Sequence, residues 1–383
     1  MRSICIPITS RGNYGKFKPI IQAVSDNPEL ELQLVVGGGA LLHKYGDFID
    51  DGTLDGHEVD LQIHFLLEGE NPITMAKSTG IALSEFTTAF ETLEPDVVLA
   101  IADRFEEIAI ATAAAFQNIP LAHIEGGEIS GSVDESIRHA VTKMSHLHFP
   151  ATETAAERVR KLGEPSEAVY NVGTPSLDVM ERIDVEDLES VADDLNDKGV
   201  GADIDLSDGY LLVVQHPVTT EYESNRQYIE ETIEAISDLA LPTIWLWPNM
   251  DAGSDGVSKG IRVYREQNEQ DHIRWFTSLP IEQYATLLYN ATCIVGNSSS
   301  GIREASYFGV PCVNIGNRQA GRERGENVVD VPHQAAAIKT GIVDQIEHGQ
   351  YEPTTIYGDG NAGEQIATVL SEFDFDIQKQ LTL

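Results

Sequence analysis

Apolar residues along this chain follow two rhythms. Strand-length apolar runs cover residues 3–8, 31–37, 95–102 and 120–124, and again 210–215, 242–247, 274–277, 293–296 and 311–315. Between them, apolar positions recur every three or four residues over 14–26, 74–93, 105–116, 226–238, 281–290 and 301–308, which predicts helices. The run PDVVLAIA (95–102) carries no polar residue after its Asp, the mark of a strand covered on both faces. Strand and helix in strict alternation predict parallel, doubly wound sheets. The expected fold class is α/β, with two Rossmann-like domains facing a central cleft. The first would span 1–172 and the second 173–361, with the junction near 171–177 and an acidic stretch at 184–197 just beyond it. The segment 362–383, containing a helix over 362–373, is expected to pack back on the first domain.

Composition narrows this picture. Acidic residues number 62 against 25 basic ones, a formal charge of −37. Such a field repels nucleic acid and anionic membranes, and a nucleotide bound here would need local arginines. An acidic, lysine-poor surface over an ordinary core is the composition expected of a protein adapted to high salt. The apolar runs are too short to cross a membrane. The N-terminus reads as a first strand, not a signal peptide, so a cytoplasmic location is expected. Cys5, Cys293 and Cys312 sit among apolar neighbours without metal-ligand spacing, as buried reduced thiols do.

Candidate chemistry clusters where predicted strands end, which is where doubly wound sheets bind ligands. After the first strand comes Thr9-Ser10-Arg11-Gly12-Asn13-Tyr14-Gly15-Lys16, a glycine-bearing turn with a cation suited to phosphate. After PDVVLAIA come Asp103 and Arg104; Asp103 is an acid/base candidate or merely the cap of the next helix. After the fourth strand lie His123, Glu125, Glu128, Asp134, Arg138 and His139. Asp134 and Ser132 could cap the helix over 135–144, whereas Glu125, between a strand and two glycines, has no evident structural duty. This cluster matches no metal motif, and none is expected. In the second half, His216 ends a strand, Asn249 follows another, and Gly296-Asn297-Ser298-Ser299-Ser300-Gly301-Ile302-Arg303-Glu304 is a strand–turn–helix arrangement suited to a diphosphate. There the glycine bracket argues for more than a serine cap. Arg318 again follows a strand.

With these residues in view, the sequence resembles the hydrolysing UDP-N-acetylglucosamine 2-epimerases of sialic-acid pathways. The segments HIEGGEISG, DESIRHA, GNSSSGIREA and NRQAGRERGEN carry the likeness, which runs over nearly the whole chain. The resemblance implies the glycosyltransferase-B fold and elimination of UDP to a 2-acetamidoglycal, followed by addition of water to give N-acetylmannosamine. It implies that Asp103, Glu125 and Asp134 are the acid/base carboxylates and that His216 assists departure of UDP. Arg11, Arg104, Ser298, Ser299 and Arg318 would hold phosphates, Glu304 the ribose, and the backbone at 276–279, with Leu279, the uracil. Asn249 would line the same site. Gly15 stands where family members often have Ser, and Ala102 where they have Gly. No cofactor is implied. The partner is a small-molecule UDP-sugar, and a homodimer or homotetramer is expected. Carboxylates crowded together should raise one another's pKa. Alternatives are a UDP-diacetamido-trideoxy sugar as substrate, with residues 41–46 near its distinguishing carbons, the non-hydrolysing reaction, a glycosyltransferase, or a sugar-nucleotide sensor.

Overall fold

The computed structural model describes residues 1–42, 53–69, 71–131, 133–249, 251–268 and 272–382; of the stretch 41–46, residues 43–46 lie outside them, as does Ser132. The chain divides into two compact units. Unit 1 comprises Met1–Ile129, Val133–Glu181 and Tyr357–Leu383; unit 2 comprises Ser130–Ser132 and Arg182–Ile356.

Unit 1 runs β1 (Arg2–Ile8), α1 (Arg11–Asp26), β2 (Leu30–Gly37), the small hairpin β3 (Thr53–Leu54) and β4 (His57–Glu58), then β5 (Leu61–Ile63) and α2 (Pro72–Leu93). It continues with β6 (Val97–Ile101), α3 (Phe105–Phe116), β7 (Leu121–Ile124), α4 (Asp134–Met144), β8 (Leu147–Phe149), α5 (Glu153–Lys161) and α6 (Ser176–Arg182). Its six-stranded sheet has the order β5-β2-β1-β6-β7-β8, all parallel. Every residue of β6 is buried, as the unbroken apolar run requires of a strand with helices on both faces. Helix α1 turns Phe17, Ile20, Ile21 and Val24 into the core, the spacing of a single helical face. It starts at Arg11, a turn earlier than the apolar pattern suggests, because Ser10 caps it by accepting the Asn13 N–H. Helix α2 likewise starts early, at a capping box of Asn71 and Thr74 with Pro72 between them.

Unit 2 runs α7 (Glu189–Lys198), β9 (Val200–Gly201), β10 (Leu211–Val214), α8 (Asn225–Leu239), β11 (Thr243–Leu246), α9 (Ser254–Gln267), β12 (Ile273–Phe276) and α10 (Ile281–Tyr289). It ends with β13 (Cys293–Gly296), α11 (Glu304–Phe308), β14 (Cys312–Ile315), β15 (Val328–Val331) and α12 (Ala335–His348). The sheet order is β15-β14-β13-β10-β11-β12-β9, parallel except for β9. Each unit is therefore doubly wound, as expected. The sequence pattern had not predicted α9, whose polar and glycine-containing face obscures its period.

The division falls later than residues 171–177 and the return to unit 1 earlier than 362. Helix α6 stays with unit 1 because Asp178, fully buried on it, accepts the Ala362 and Gly363 N–H groups at 2.9 and 2.7 Å. These amides open the last helix, α13 (Ala362–Glu372), which lays Ile366, Ala367 and Leu370 against α1 and the sheet. Beyond it, the Lys379 ammonium reaches Glu164 at 2.7 Å, where Lys143 and His148 also donate, at 2.5 and 3.0 Å. Burial works to raise the Glu164 carboxyl, but the bonds from His148, Lys143 and Lys379 outweigh it and hold it down to about 2. Among the described residues no helix is long and apolar enough to cross a membrane.

A carboxyl depressed in the folded state contributes stability that is full above its unfolded value and disappears as pH falls towards its folded one. Lys379→Met should therefore cost about 2 kcal/mol at neutral pH, the usual worth of a hydrogen bond to a charged group. The difference from wild type should shrink as pH falls below 4.5 towards 2. Thermal unfolding of both proteins across that range measures it.

Candidate active site

In unit 1 two adjacent strands end in residues that adopt left-handed backbone without being glycine: Ala102 after β6 (φ 62°) and Glu125 after β7 (φ 61°). This conformation costs a side-chain-bearing residue about 1–2 kcal/mol. Hydrogen bonds across the strand ends hold it. The Ala102 N–H donates to the Ile124 carbonyl, and the Glu125 N–H to the Phe149 carbonyl, both at 2.8 Å. The His123 ring donates from Nε2 to the Ala102 carbonyl at 2.8 Å. A carbonyl can only accept, so the neutral ring carries its proton on Nε2, and Nδ1 accepts from the Thr142 hydroxyl at 3.0 Å. Burial drives the His123 pKa down to about 4, in keeping with a neutral ring.

These turns present the expected carboxylates. Asp103 accepts a hydrogen bond from Arg138, a fully buried guanidinium on α4 that also donates to the Glu128 carbonyl at 2.9 Å. Asp103 does not cap α3: the cap position is Arg104, with no side-chain cap bond. Asp134 is the first residue of α4, and its cap position, Val133, likewise makes no side-chain bond. Glu125 is fully buried. Its Oε2 meets the Lys16 ammonium at 2.5 Å, and its Oε1 accepts from the Thr174 hydroxyl. Asp103 and Glu125 thus each have a cation within reach. A further carboxyl, outside the quoted motifs, is pushed up. Glu107, buried on α3, rises to about 8, chiefly through burial and then through the charge of Glu106. Arg104 pairs with that Glu106 at 3.1 Å. Arg11 and Gly15 lie in the first two turns of α1, not in a free loop.

In unit 2 the hub is Asn297, fully buried in the turn after β13. Its Oδ1 accepts the His216 N–H at 2.7 Å, and its Nδ2 donates to the His216 carbonyl at 2.9 Å. Its own carbonyl accepts from Arg318 at 3.2 Å and Gln319 at 2.8 Å. The Asn249 N–H donates to His216 Nδ1 at 3.2 Å, which leaves the ring's proton on Nε2 when it is neutral. Arg318 lies 3.9 Å from Asp251, which also accepts from the Asn249 amide. Ser298 accepts the Ser300 N–H at 3.3 Å, and Ser299 opens a single 3-10 turn. Leu279 is buried in the segment between β12 and α10.

The expected helix over 301–308 starts only at Glu304 and runs five residues. The glycine bracket explains the delay and has a packing duty. Gly296 has φ 136°, and a Cβ there would lie 2.1 Å from the Val214 carbonyl oxygen. A Cβ on Gly301 would lie 2.6 Å from the Cys312 sulfur, so the chain hugs the sheet before it turns helical. Among the described residues no group of three or more His, Cys, Asp or Glu is arranged to hold a metal ion.

The sequence profile of the UDP-N-acetylglucosamine 2-epimerase family matches residues 22–371. The chain belongs to the UDP-N-acetylglucosamine 2-epimerase family. Within it, the chain is 34% identical to the UDP-N,N'-diacetylbacillosamine 2-epimerase (hydrolyzing) of Legionella pneumophila, over 97% of this chain and 96% of that one. It is 31% identical to a UDP-N-acetylglucosamine 2-epimerase of Neisseria meningitidis, over 97% and 95%. In fold it is similar to a crystal structure of UDP-GlcNAc 2-epimerase from Neisseria meningitidis bound to UDP-GlcNAc (TM-score 0.78, 17% identity, 96% and 99% coverage). The Methanocaldococcus jannaschii UDP-GlcNAc 2-epimerase in complex with UDP-GlcNAc and UDP gives 0.76 at 19% identity, over 96% and 99%. The glycosyltransferase-B fold class expected from the sequence is thus the one found.

Nothing local in the sequence of this epimerase-family chain marks Lys16, Thr174, Glu107 or Asn297, although Lys16 and Asn297 lie within the glycine-bearing motifs after β1 and β13. Thr174 reaches Glu125 from 49 positions away, a pairing no spacing rule reports.

Ala102 offers a direct test of the strained turn. Ala102→Gly removes a left-handed penalty of about 1–2 kcal/mol, partly offset by about 0.4–1 kcal/mol of added unfolded-chain entropy. A net gain of about 0.5–1 kcal/mol is expected in denaturant unfolding; a loss would show that the turn is not strained.

Proposed function

We propose that this chain is a hydrolysing 2-epimerase that converts UDP-N-acetylglucosamine and water to N-acetylmannosamine and UDP. The observation that carries the reading is the pair of strand-end carboxylates, Asp103 gripped by Arg138 and Glu125 gripped by Lys16 and Thr174, with Asp134 opening the next helix. In unit 2, His216 is fixed through its backbone and Nδ1, so that Nε2–H is the group it offers.

In the first step a carboxylate of unit 1 takes the proton from sugar C2, the C1–O bond breaks, and the electron pair leaves with UDP. The product is the 2-acetamidoglycal, with a C1–C2 double bond. In the second step water adds its oxygen to C1 and gives up a proton to a carboxylate, while a carboxyl returns a proton to C2 from the opposite face, which inverts that centre. UDP leaves as an anion. Arg11, Arg104, Arg318, Ser298 and Ser299 are the groups we assign to its phosphates, His216 to the departing oxygen, and Glu304 to the ribose. Asn249 holds the His216 ring, and Leu279 belongs to the segment assigned to uracil. The Gly126-Gly127-Glu128 segment following Glu125 is the motif that favours the hydrolysing branch.

A second reading, the same two steps on UDP-N,N'-diacetylbacillosamine, is favoured by the Legionella relative at 34% identity. The acidic surface we read as adaptation to high salt: few of the 62 acidic residues are among the described buried ones. Assays therefore belong in concentrated potassium chloride.

Incubation with UDP-N-acetylglucosamine in deuterated water, followed by NMR, should release free UDP and N-acetylmannosamine with deuterium at C2. Epimerised sugar still bearing UDP would assign the chain to the non-hydrolysing reaction, and turnover of the diacetamido sugar alone would select the second reading. Asp103→Asn and Glu125→Gln should each lower kcat by about 10²–10⁴-fold, the usual worth of a general acid or base. UDP affinity by calorimetry should change little. Full activity in both variants would remove these roles.

A further inference from the structure

The sheet of unit 1 reverses its winding between β1 and β6, because the chain moves outward from β1 to β2 on one side and returns to β6 on the other. Ligands bind doubly wound sheets at this point. Two loops meet there. One, after β1, leads through Ser10 into Arg11; the other, after β6, leads through Ala102 into Asp103.

Glu107 joins them. Its Oε2 accepts the N–H of Ile101, the last residue of β6, at 3.1 Å, and its Oε1 accepts the Asn13 side-chain amide at 3.0 Å. Asn13 is tied in turn to the preceding loop. Its amide nitrogen also donates to the Thr9 hydroxyl at 3.3 Å, its Oδ1 accepts from the Ser10 hydroxyl at 3.0 Å, and its N–H donates to the Ser10 oxygen at 3.2 Å. Glu107 and Asn13 are both buried. The charged groups that act most on Glu107 are Glu106 and Arg104, both from its own segment, while the donors from α1 and β6, Asn13 and Ile101, are neutral.

We propose that Glu107 is a positioning residue for the 2-epimerase reaction, whose carboxylate clasps the end of β6 to the start of α1 and so fixes Asp103 and Arg11 relative to one another. The inference rests on the functional reading above, which assigns chemistry to those two residues.

The clasp needs an anion. Two donors approach, one to each oxygen, and only a carboxylate accepts on both without presenting a hydrogen of its own. A protonated carboxyl or a glutamine turns a donor towards either Ile101 or Asn13, donor against donor. Burial and the neighbouring Glu106 place the titration of Glu107 at about 8, so the clasp closes as pH rises through that value.

The test uses the full chain and UDP-N-acetylglucosamine, or the diacetamido sugar if that is the substrate, with four proteins: wild type, Glu107→Gln, Asn13→Asp, and the double variant. Wild-type kcat should rise through about pH 8. Glu107→Gln should lose this rise and about ten- to a hundredfold of kcat, the scale of a misplaced reacting group, with KM changed less. Asn13→Asp puts two carboxyls in contact that hold together only while they share a proton, so its activity should fall as pH rises, the reverse of wild type. The double variant restores a hydrogen bond with donor and acceptor exchanged, and should recover most of kcat without the pH-dependent limb. Hydrogen exchange of the backbone amides at 9–13 should follow the same order: faster in each single variant, slowed again in the double.

Wild-type kcat and pH dependence in Glu107→Gln, or a folded double variant no better than the singles in turnover and exchange, would overturn the proposal. A wild type that turns over neither sugar would sink the functional reading instead. The exchange order alone would then decide whether the clasp exists.

Discussion

The chemistry of unit 1 depends on a short set of hydrogen bonds that let two neighbouring strands end in left-handed backbone. Ala102 and Glu125 would each relax to a commoner conformation if left alone. Their N–H groups are held by the carbonyls of the next strand, and His123 ties the Ala102 carbonyl to β7. After β6 the turn is followed by Asp103, and after β7 the left-handed residue is itself the carboxylate, the buried Glu125. Unit 2 meets the same need differently. There the left-hand side of backbone space goes to Gly296, and the fastening is a side chain, Asn297, that grips both the N–H and the carbonyl of His216. The Asn297 fastening sits where the sheet of unit 2 reverses its winding, between β10 and β13, and in unit 1 the Glu107 contacts occupy the corresponding place between β1 and β6.

Much of this was legible in the sequence. PDVVLAIA announced a strand buried on both faces, and the alternation of strand and helix gave the fold class. Asp103, Glu125 and Asp134 were readable as candidates because each follows a strand, and the resemblance then singled them out. What stayed hidden were partners distant along the chain. Arg138 reaches Asp103 across 35 positions and Lys16 reaches Glu125 across 109, and the identity of a partner is set by topology, not by local pattern. The helix after the serines was overestimated because Gly301 packs on Cys312 and keeps the chain flat against the sheet, a contact invisible to periodicity. Helix α9 was missed for the opposite reason, a weak apolar face on a real helix.

Charge is handled in two regimes. The surface carries the great excess of acid, where solvent and counter-ions screen it. Inside unit 1 the partly buried Asp103 has Arg138, and of the buried acids Glu125 has Lys16, Glu164 has two lysines and a histidine, and Asp178 has two backbone amides. Glu107 is raised to about 8 by burial first and by the charge of Glu106 next, against which its hydrogen bonds from Ile101 and Asn13 work.

The return of residues 357–383 to unit 1 has a consequence for biosynthesis. A polypeptide leaves the ribosome amino end first, and domains ordinarily mature in that order. Here the first unit lacks the helix that covers α1 and a lysine that pairs with Glu164 until residues 362–379 have emerged, whereas the described strands of unit 2 are complete by Val331 and its described helices by His348. Although it is begun first, the half that carries Asp103 and Glu125 receives its closing helix after the described elements of unit 2 have been made.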